Sequence, residues 1–219
     1  MDKNFTFTDG TQIPIGTMYC IGRNYSAHAK EMGAQVPESP IVFIKPPAAF
    51  MPSESTISIP SQSNNMHHEV ELVAIIGKDC FNNITASTAL EYVAGYAVGI
   101  DLTLRDLQAL AKQRGEPWAT AKSFSGSAPI SIAVKATKDI NPNNLTIELR
   151  VNDEVRQSSS TNMMERTVEE LIEYIASIFT LRRGDCIFTG TPEGVGRLVS
   201  GDRIIAELQN VPKLKINVL

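Results

Sequence analysis

The chain has 219 residues, of which 42% are hydrophobic and 20% charged, enough to bury a sizeable core in one domain. A net charge of −4 without any basic run argues against nucleic acid as a partner. Its apolar runs are strand-length, far short of the ~20 residues of a membrane span, and residues 1–5 show no signal segment. Cys20, Cys80 and Cys186 are odd in number and widely spaced, which reads as small buried hydrophobes in a reducing compartment, hence the cytoplasm.

Residues 4–15 alternate into Asp9-Gly10, a hairpin signal, and Met18 to Ile21 continue as a strand. A short helix follows, capped by Asn24 or Ser26 and ended by Gly33. On that helix His28 and Glu31 share a face. A carboxylate beside an imidazole orients the ring and raises its basicity, which makes a general base; the alternative is a surface pair without consequence. Ile41 to Lys45 is a strand stopped by Pro46 and Pro47, and a brief strand is expected near Ile57 to Ile59.

His67-His68-Glu69-Val70-Glu71 opens a strand whose run from Leu72 to Ile76 belongs in the core. Residues two apart on a strand share a face, so Glu69 and Glu71 would stand ~7 Å apart. Either one glutamate faces solvent at a strand end, or the pair is compensated by a cation. Lys78 to Asn83 reads as a turn and Thr85 to Tyr92 as a short helix. A second apolar strand from Val93 ends at Asp101, before a helix from Leu104 to Leu110. Asp101 is either an N-cap or a third oxygen ligand from a separate strand. Three carboxylates suit hard Mg2+ or Mn2+; zinc suits them less, because no Cys/His set has ligand spacing.

Gly115 to Trp118 breaks the helix, and Lys122 then lies among small residues, either solvated or facing an anionic substrate. Leu145 to Val151 alternates and turns at Asn152-Asp153, and serines 158–160 read as a loop. Thr167 to Glu170 resembles a capping box before the stripe Val168, Leu171, Ile172, Ile175, Ile178 and Phe179, the clearest helix of the chain. A strand at Cys186 to Thr189 leads into the glycine-rich Thr189-Gly190-Thr191-Pro192-Glu193-Gly194-Val195-Gly196. It has neither a P-loop lysine nor dinucleotide-binding spacing, and reads as a backbone amide cradle for a carboxylate or as an ordinary loop. Strands at about 203–208 and 213–218 close an α+β, β-rich chain.

Five motifs in one order carry a resemblance: Gly22-Arg23-Asn24-Tyr25…His28…Glu31, His67-His68-Glu69-Val70-Glu71-Leu72, Asp101-Leu102-Thr103-Leu104-Arg105-Asp106…Gln108, Pro117-Trp118…Ala121-Lys122-Ser123-Phe124, and Thr189 to Gly196. From about residue 16 onward the chain resembles the fumarylacetoacetate hydrolase family, in particular its small single-domain acylpyruvase and oxaloacetate decarboxylase branch. The resemblance implies a rolled mixed β-sheet core with short peripheral helices, one catalytic domain over 1–219 with 1–15 as a hairpin extension, and a homodimer. It implies Mg2+ or Mn2+ on Glu69, Glu71 and Asp101, and a His28–Glu31 dyad on a lid segment. Catalytic Lys122, and Arg23, Gln108, Gly190 and Thr191, would hold or polarise a small 2-oxo acid. His67 and His68 would shape the entrance or hydrogen-bond the carboxylates. Many members carry Asp where this chain has Ser125, a difference bearing on hydrogen bonds near Lys122.

The chemistry implied is hydrolysis of a C–C bond in acylpyruvates such as acetylpyruvate or fumarylpyruvate, through a pyruvate enolate held by the cation. Oxaloacetate decarboxylation or keto–enol tautomerisation would use the same site. A non-catalytic metal- or ligand-binding module is the reading from another class, and it would not need His28, Glu31 and Lys122 together.

Overall fold

The computed structural model describes residues 3–80 and 84–219; the turn expected over 78–83 therefore lies partly outside the described residues. Strands β1 (Asn4–Thr6) and β2 (Gln12–Pro14) pair antiparallel as the alternation predicts, with Gly10 at φ +83 in the turn. Then come β3 (Met18–Gly22), α1 (Ser26–Glu31), β4 (Ile41–Lys45), β5 (Phe50–Pro52) and β6 (Ser55–Ile57). The expected apolar strand is split at Glu69 into β7 (Met66–His68) and β8 (Val70–Ile76). Helix α2 (Ala86–Ala89), a 3-10 turn at Leu90–Tyr92, β9 (Val93–Ile100) and β10 (Thr103–Leu104) follow.

Helix α3 (Arg105–Arg114) ends in Gly115 at φ +68, the left-handed C-terminal glycine that the sequence places there. After α4 (Ala119–Lys122) come β11 (Ala128–Ile130), β12 (Val134–Lys135), β13 (Thr146–Val151) and β14 (Glu154–Ser160). Serines 158–160, expected as a loop, are thus strand: Ser158, Ser159 and Ser160 pair with Glu148, Ile147 and Thr146. Helix α5 (Val168–Ile178) carries the predicted capping box, Thr167 and Glu170 exchanging hydrogen bonds. Strands β15 (Cys186–Phe188), β16 (Gly196–Arg197), β17 (Arg203–Leu208) and β18 (Leu214–Val218) complete the chain.

The central sheet runs β4-β3-β15-β8-β9-β11-β5, with β12 also on β9, and it is mixed: β3–β15 and β11–β5 are parallel. A second sheet runs β14-β13-β17-β18-β6, and a small one β10-β7-β16. Strand β8 is buried along its whole length, because apolar layers cover both faces of the central sheet. Its side chains alternate between two cores. Leu72, Ala74 and Ile76 join the second sheet and α5, through Leu149, Ala206 and Leu171. Val73 and Ile75 join Met18, Phe188 and the N-terminal hairpin, through Phe5 and Ile13. Among the described residues no helix is long and apolar enough to cross a membrane.

All three cysteines are buried and unpaired. Burial pushes the Cys20 and Cys186 thiols well up and that of Cys80 to about 11, which makes them packing groups rather than nucleophiles.

Candidate active site

Strands β8 and β9 pair antiparallel with Val70 opposite Ile100. One step beyond, the Asp101 N–H donates to the Glu69 carbonyl at 2.8 Å, so Glu69 and Asp101 face each other where the two strands leave the ladder. Glu71 sits two residues further in, opposite Gly99. All three side chains are buried, and one carboxylate oxygen from each lies within 4.8 Å of the others. Asp101 is not an N-cap: the residue before α3 is Leu104, which makes no side-chain cap hydrogen bond.

Three cations hold two of these acids. The Lys122 ammonium donates to Glu69 Oε2 at 2.7 Å, to Asp101 and to Thr103 Oγ1. Arg105 pairs with Glu69 Oε1 and donates to Gln108 Oε1 at 2.7 Å. Lys45, wholly buried, lies 2.8 Å from Asp101 Oδ1, while it donates to the carbonyls of Leu102, Lys122 and Ser127 and to Ser127 Oγ. With the ammonium directed at those acceptors, Asp101 Oδ1 is left without an aligned hydrogen bond. Among the described residues Glu71 receives only the Gly190 N–H, at 2.7 Å.

The electrostatics follow from this division. Burial alone would raise Glu69, but Lys122 and Arg105 outweigh it and hold the carboxyl well below its ordinary range. Among the described residues no cation is in contact with Glu71; burial, then the charges of Asp101 and Glu69, push it well up. Burial disfavours the Lys122 ammonium, yet Asp101 and Glu69 raise it to about 12, so it stays charged. Three buried oxygen donors converging on one point, one oxygen without a hydrogen bond, fit a hard divalent cation such as Mg2+ or Mn2+.

His28 Nδ1 lies 3.1 Å from Glu31 Oε2 on α1, as the three-residue spacing implies. Glu31 Oε1 accepts the Gly194 N–H at 3.0 Å, which ties the dyad to the glycine-rich loop. Neither Asn24 nor Ser26 caps this helix; its N-cap is Tyr25, with no side-chain hydrogen bond. Asn24 is instead a cross-link, its amide donating to the Thr189 and Arg166 carbonyls and accepting the Arg166 N–H at 2.9 Å. Gly190, at φ +96, must be glycine here: a Cβ would lie 2.8 Å from the Asn24 Cβ. That close approach brings the Gly190 amide onto Glu71.

One cavity gathers Arg23, His28, Glu69, Glu71, Asp101, Gln108, Lys122 and Thr191. Glu31 stands behind His28, and Gly190 spends its amide on Glu71 rather than lining the cavity. Sequence reasoning gave no role to Lys45, Arg105, Phe43 or Lys112. The last three line the cavity, and Lys45 braces it from below. A lysine closing an apolar strand was the available signal for Lys45.

His67 and His68 do not hydrogen-bond the carboxylates. His67 Nε2 pairs with Asn65 Oδ1 and His68 Nδ1 with Gln157 Oε1, each at 2.9 Å. Burial, then the Arg105 charge, lowers His67 to about 4. Gln157 also donates to Thr191 Oγ1 at 2.8 Å and to the Pro192 carbonyl, so His68 acts on the loop through Gln157. Ser125 is exposed, and the hydroxyl that braces the Lys122 carbonyl belongs to Ser127, at 2.8 Å.

Comparison with known proteins matches residues 17–219 to the fumarylacetoacetate hydrolase C-terminal family. This chain belongs to the fumarylacetoacetate hydrolase family. It is 43% identical over 192 residues to the oxaloacetate tautomerase YcgM of Escherichia coli, covering 87% of each protein. To the mitochondrial oxaloacetate tautomerase FAHD1 of Bos taurus it is 42% identical, over 91% of this chain and 90% of that one. Among solved structures, the fumarylpyruvate hydrolase of Pseudomonas aeruginosa in complex with Mn2+ and pyruvate superposes with a TM-score of 0.95 at 39% identity, over 100% of this chain and 96% of that one. The β-rich fold, with its curled mixed sheet and few short helices, is therefore the family's. The family's named activities include hydrolysis, tautomerisation and isomerisation.

Proposed function

We propose that this chain is a divalent-cation-dependent hydrolase of acylpyruvates, cleaving the bond between C3 and C4 of a 2,4-dioxo acid. The observation that carries this reading is the shared cavity: a carboxylate triad fit for a hard cation and a carboxylate-oriented imidazole line the same space. Mg2+ or Mn2+ on Glu69, Glu71 and Asp101 would supply a Lewis acid for the 2-oxo acid end of the substrate.

The chain's own groups perform the proton work. With Nδ1 given to Glu31, His28 offers Nε2 to take a proton from water. Water adds to the C4 carbonyl, and the C3–C4 bond breaks to release a carboxylic acid. Its electron pair delocalises into the 2-oxo group as the enolate of pyruvate, which takes up a proton at C3. Lys122, fully charged at neutral pH, offsets the oxyanion charge that grows during attack. Gln108 and Thr191 orient the substrate from the cavity wall.

A second reading is oxaloacetate keto–enol tautomerisation, favoured by the named activity of the Escherichia coli and bovine relatives. It needs only the proton transfers at C3 and at the keto oxygen, with no attack by water. Incubation with acetylpyruvate, fumarylpyruvate and oxaloacetate, with Mn2+ or with EDTA, tests both. Release of pyruvate and acid in equal amounts, stopped by EDTA, is the hydrolase outcome. Faster keto–enol exchange of oxaloacetate without cleavage of either acylpyruvate moves the assignment to the tautomerase, and carbon dioxide release to a decarboxylase. No acceleration of any of the three sinks every reading of this site.

A further inference from the structure

Two cations in the cavity take no part in holding the triad. Arg23 enters it just after β3, with φ +64, a left-handed conformation that is strained for a non-glycine residue. Lys112 enters it from α3, on the same face as Arg105 and Gln108, which precede it by seven and four positions. Among the described residues neither pairs with a carboxylate, and neither makes a side-chain hydrogen bond. Lys122 and Arg105, by contrast, both pair with Glu69.

An aromatic wall connects the deep end of the cavity to Lys112. The Lys122 ammonium lies 4.9 Å from the centre of the Phe43 ring, Phe43 and Trp118 are 5.9 Å apart between centres, and the Lys112 ammonium lies 5.1 Å from the centre of Trp118. The wall thus has a cation at each end. Partial burial, then the charges of Arg23 and Arg105, lower the Lys112 pKa below its ordinary value; this is a cation gathered with cations. An uncharged acyl end would leave Arg23 and Lys112 uncompensated beside a bound substrate, whereas an anionic end would meet both.

We propose that Lys112 and Arg23 form a receptor for a second carboxylate, at the substrate end remote from the triad. The preferred substrates are then 2-oxo acids with an anionic terminus rather than those with a short apolar acyl group. This deepens the hydrolase reading and rests on its placing of the 2-oxo end at the triad. Lys112 is a specificity-determining residue in this scheme.

The test compares Mn2+-loaded wild type, Lys112→Met and Lys112→Arg on fumarylpyruvate, a dianion, and acetylpyruvate, a monoanion. In Lys112→Met the ratio of kcat/KM for fumarylpyruvate to that for acetylpyruvate falls about tenfold or more, carried by KM, and Lys112→Arg restores most of it. A ratio in Lys112→Met equal to that of wild type overturns the receptor. If wild type cleaves neither substrate, the hydrolase reading fails by itself, and the receptor is then judged by calorimetry. In that arm Lys112→Met weakens binding of 2-oxoglutarate relative to 2-oxopentanoate if the receptor exists. Equal weakening of both, or of neither, overturns it.

Discussion

Glu69, Glu71 and Asp101 stand at the buried ends of two central strands, braced by cations from β4, α3 and α4. His28 and Glu31 ride on a helix of six residues whose N-cap makes no side-chain hydrogen bond, and Glu31 is partly exposed. The two regions share a cavity but differ in what holds them. The triad is fixed by the core, so its geometry and the stability of the fold are hard to separate. The dyad is fixed by one interresidue contact and a few hydrogen bonds to loops, so changes there touch chemistry and leave the core alone. Removing one partner of a buried ion pair is costly, while a pair with a partly exposed member, such as Glu31, contributes less.

Glu71→Gln tests the contrast with the largest effect. Glu71 has no cation in contact, and an amide can still accept the Gly190 N–H, so the fold should tolerate the change. Mn2+ affinity measured by calorimetry should fall at least ~100-fold and turnover should vanish, with the thermal midpoint unchanged or raised. Retained Mn2+ affinity would remove Glu71 from the ligand set.

His28→Gln breaks the comparison from the other side. Turnover should fall about 10²–10⁴-fold, the usual share of a general base, with Mn2+ affinity and the unfolding midpoint held. Normal cleavage by this variant would give the dyad another job.

Lys45→Met should separate the two regions by stability. It leaves Asp101 with Lys122 alone and takes the ammonium away from the carbonyls of Leu102, Lys122 and Ser127, of which the last two keep the Ser127 hydroxyl and the Leu102 N–H. Breaking a buried pair from one side costs about 3–5 kcal/mol, readable in urea unfolding. A loss under about 1 kcal/mol would mean that Lys122 and Ser127 suffice.

The smallest effect lies far from both regions. Asp9, fully exposed, is held down to about 2 from 3.8 by its hydrogen bond to Lys135, helped by the Thr11 N–H. A carboxylate with a depressed folded pKa stabilises the fold above its unfolded pKa and loses that contribution as pH falls through the folded one. Asp9→Asn should therefore flatten slightly the loss of stability between pH 3.8 and about 2 in acid titrations. A slope identical to that of wild type would show the pair to be without effect.

What could be read from the sequence followed from local rules. One apolar run opened by two acids and another ended by a third gave the triad, and a three-residue spacing gave the dyad contact. The capping box and stripe placed α5 almost to the residue. The rest depended on partners distant in the chain. Lys45 looks like the last residue of an ordinary strand until Asp101 is folded against it. Serines 158–160 have a loop composition, and only pairing with β13 makes them strand. The two-residue rule for Glu69 and Glu71 assumed one continuous strand, whereas the ladder breaks at Glu69. Hydrogen bonds from His67 and His68 to the carboxylates do not form because adjacency in sequence is not adjacency in a sheet: His68 turns to Gln157, 89 positions away.

The Asn24 cross-link carries a consequence for the order in which the chain assembles. Asn24 reaches residues 142 and 165 positions later, and β3 can pair with β15 only once the chain is nearly complete. By Lys122, a growing chain already holds all three carboxylates and their cations. The imidazole waits for Arg166, Thr189 and Gly194 before its helix has anything to dock on. Long-range closures of this kind form late because their loop entropy must be overcome first. The carboxylate floor is thus complete in covalent terms roughly halfway through synthesis, and the His28 helix finds its docking partners only with the last quarter of the chain.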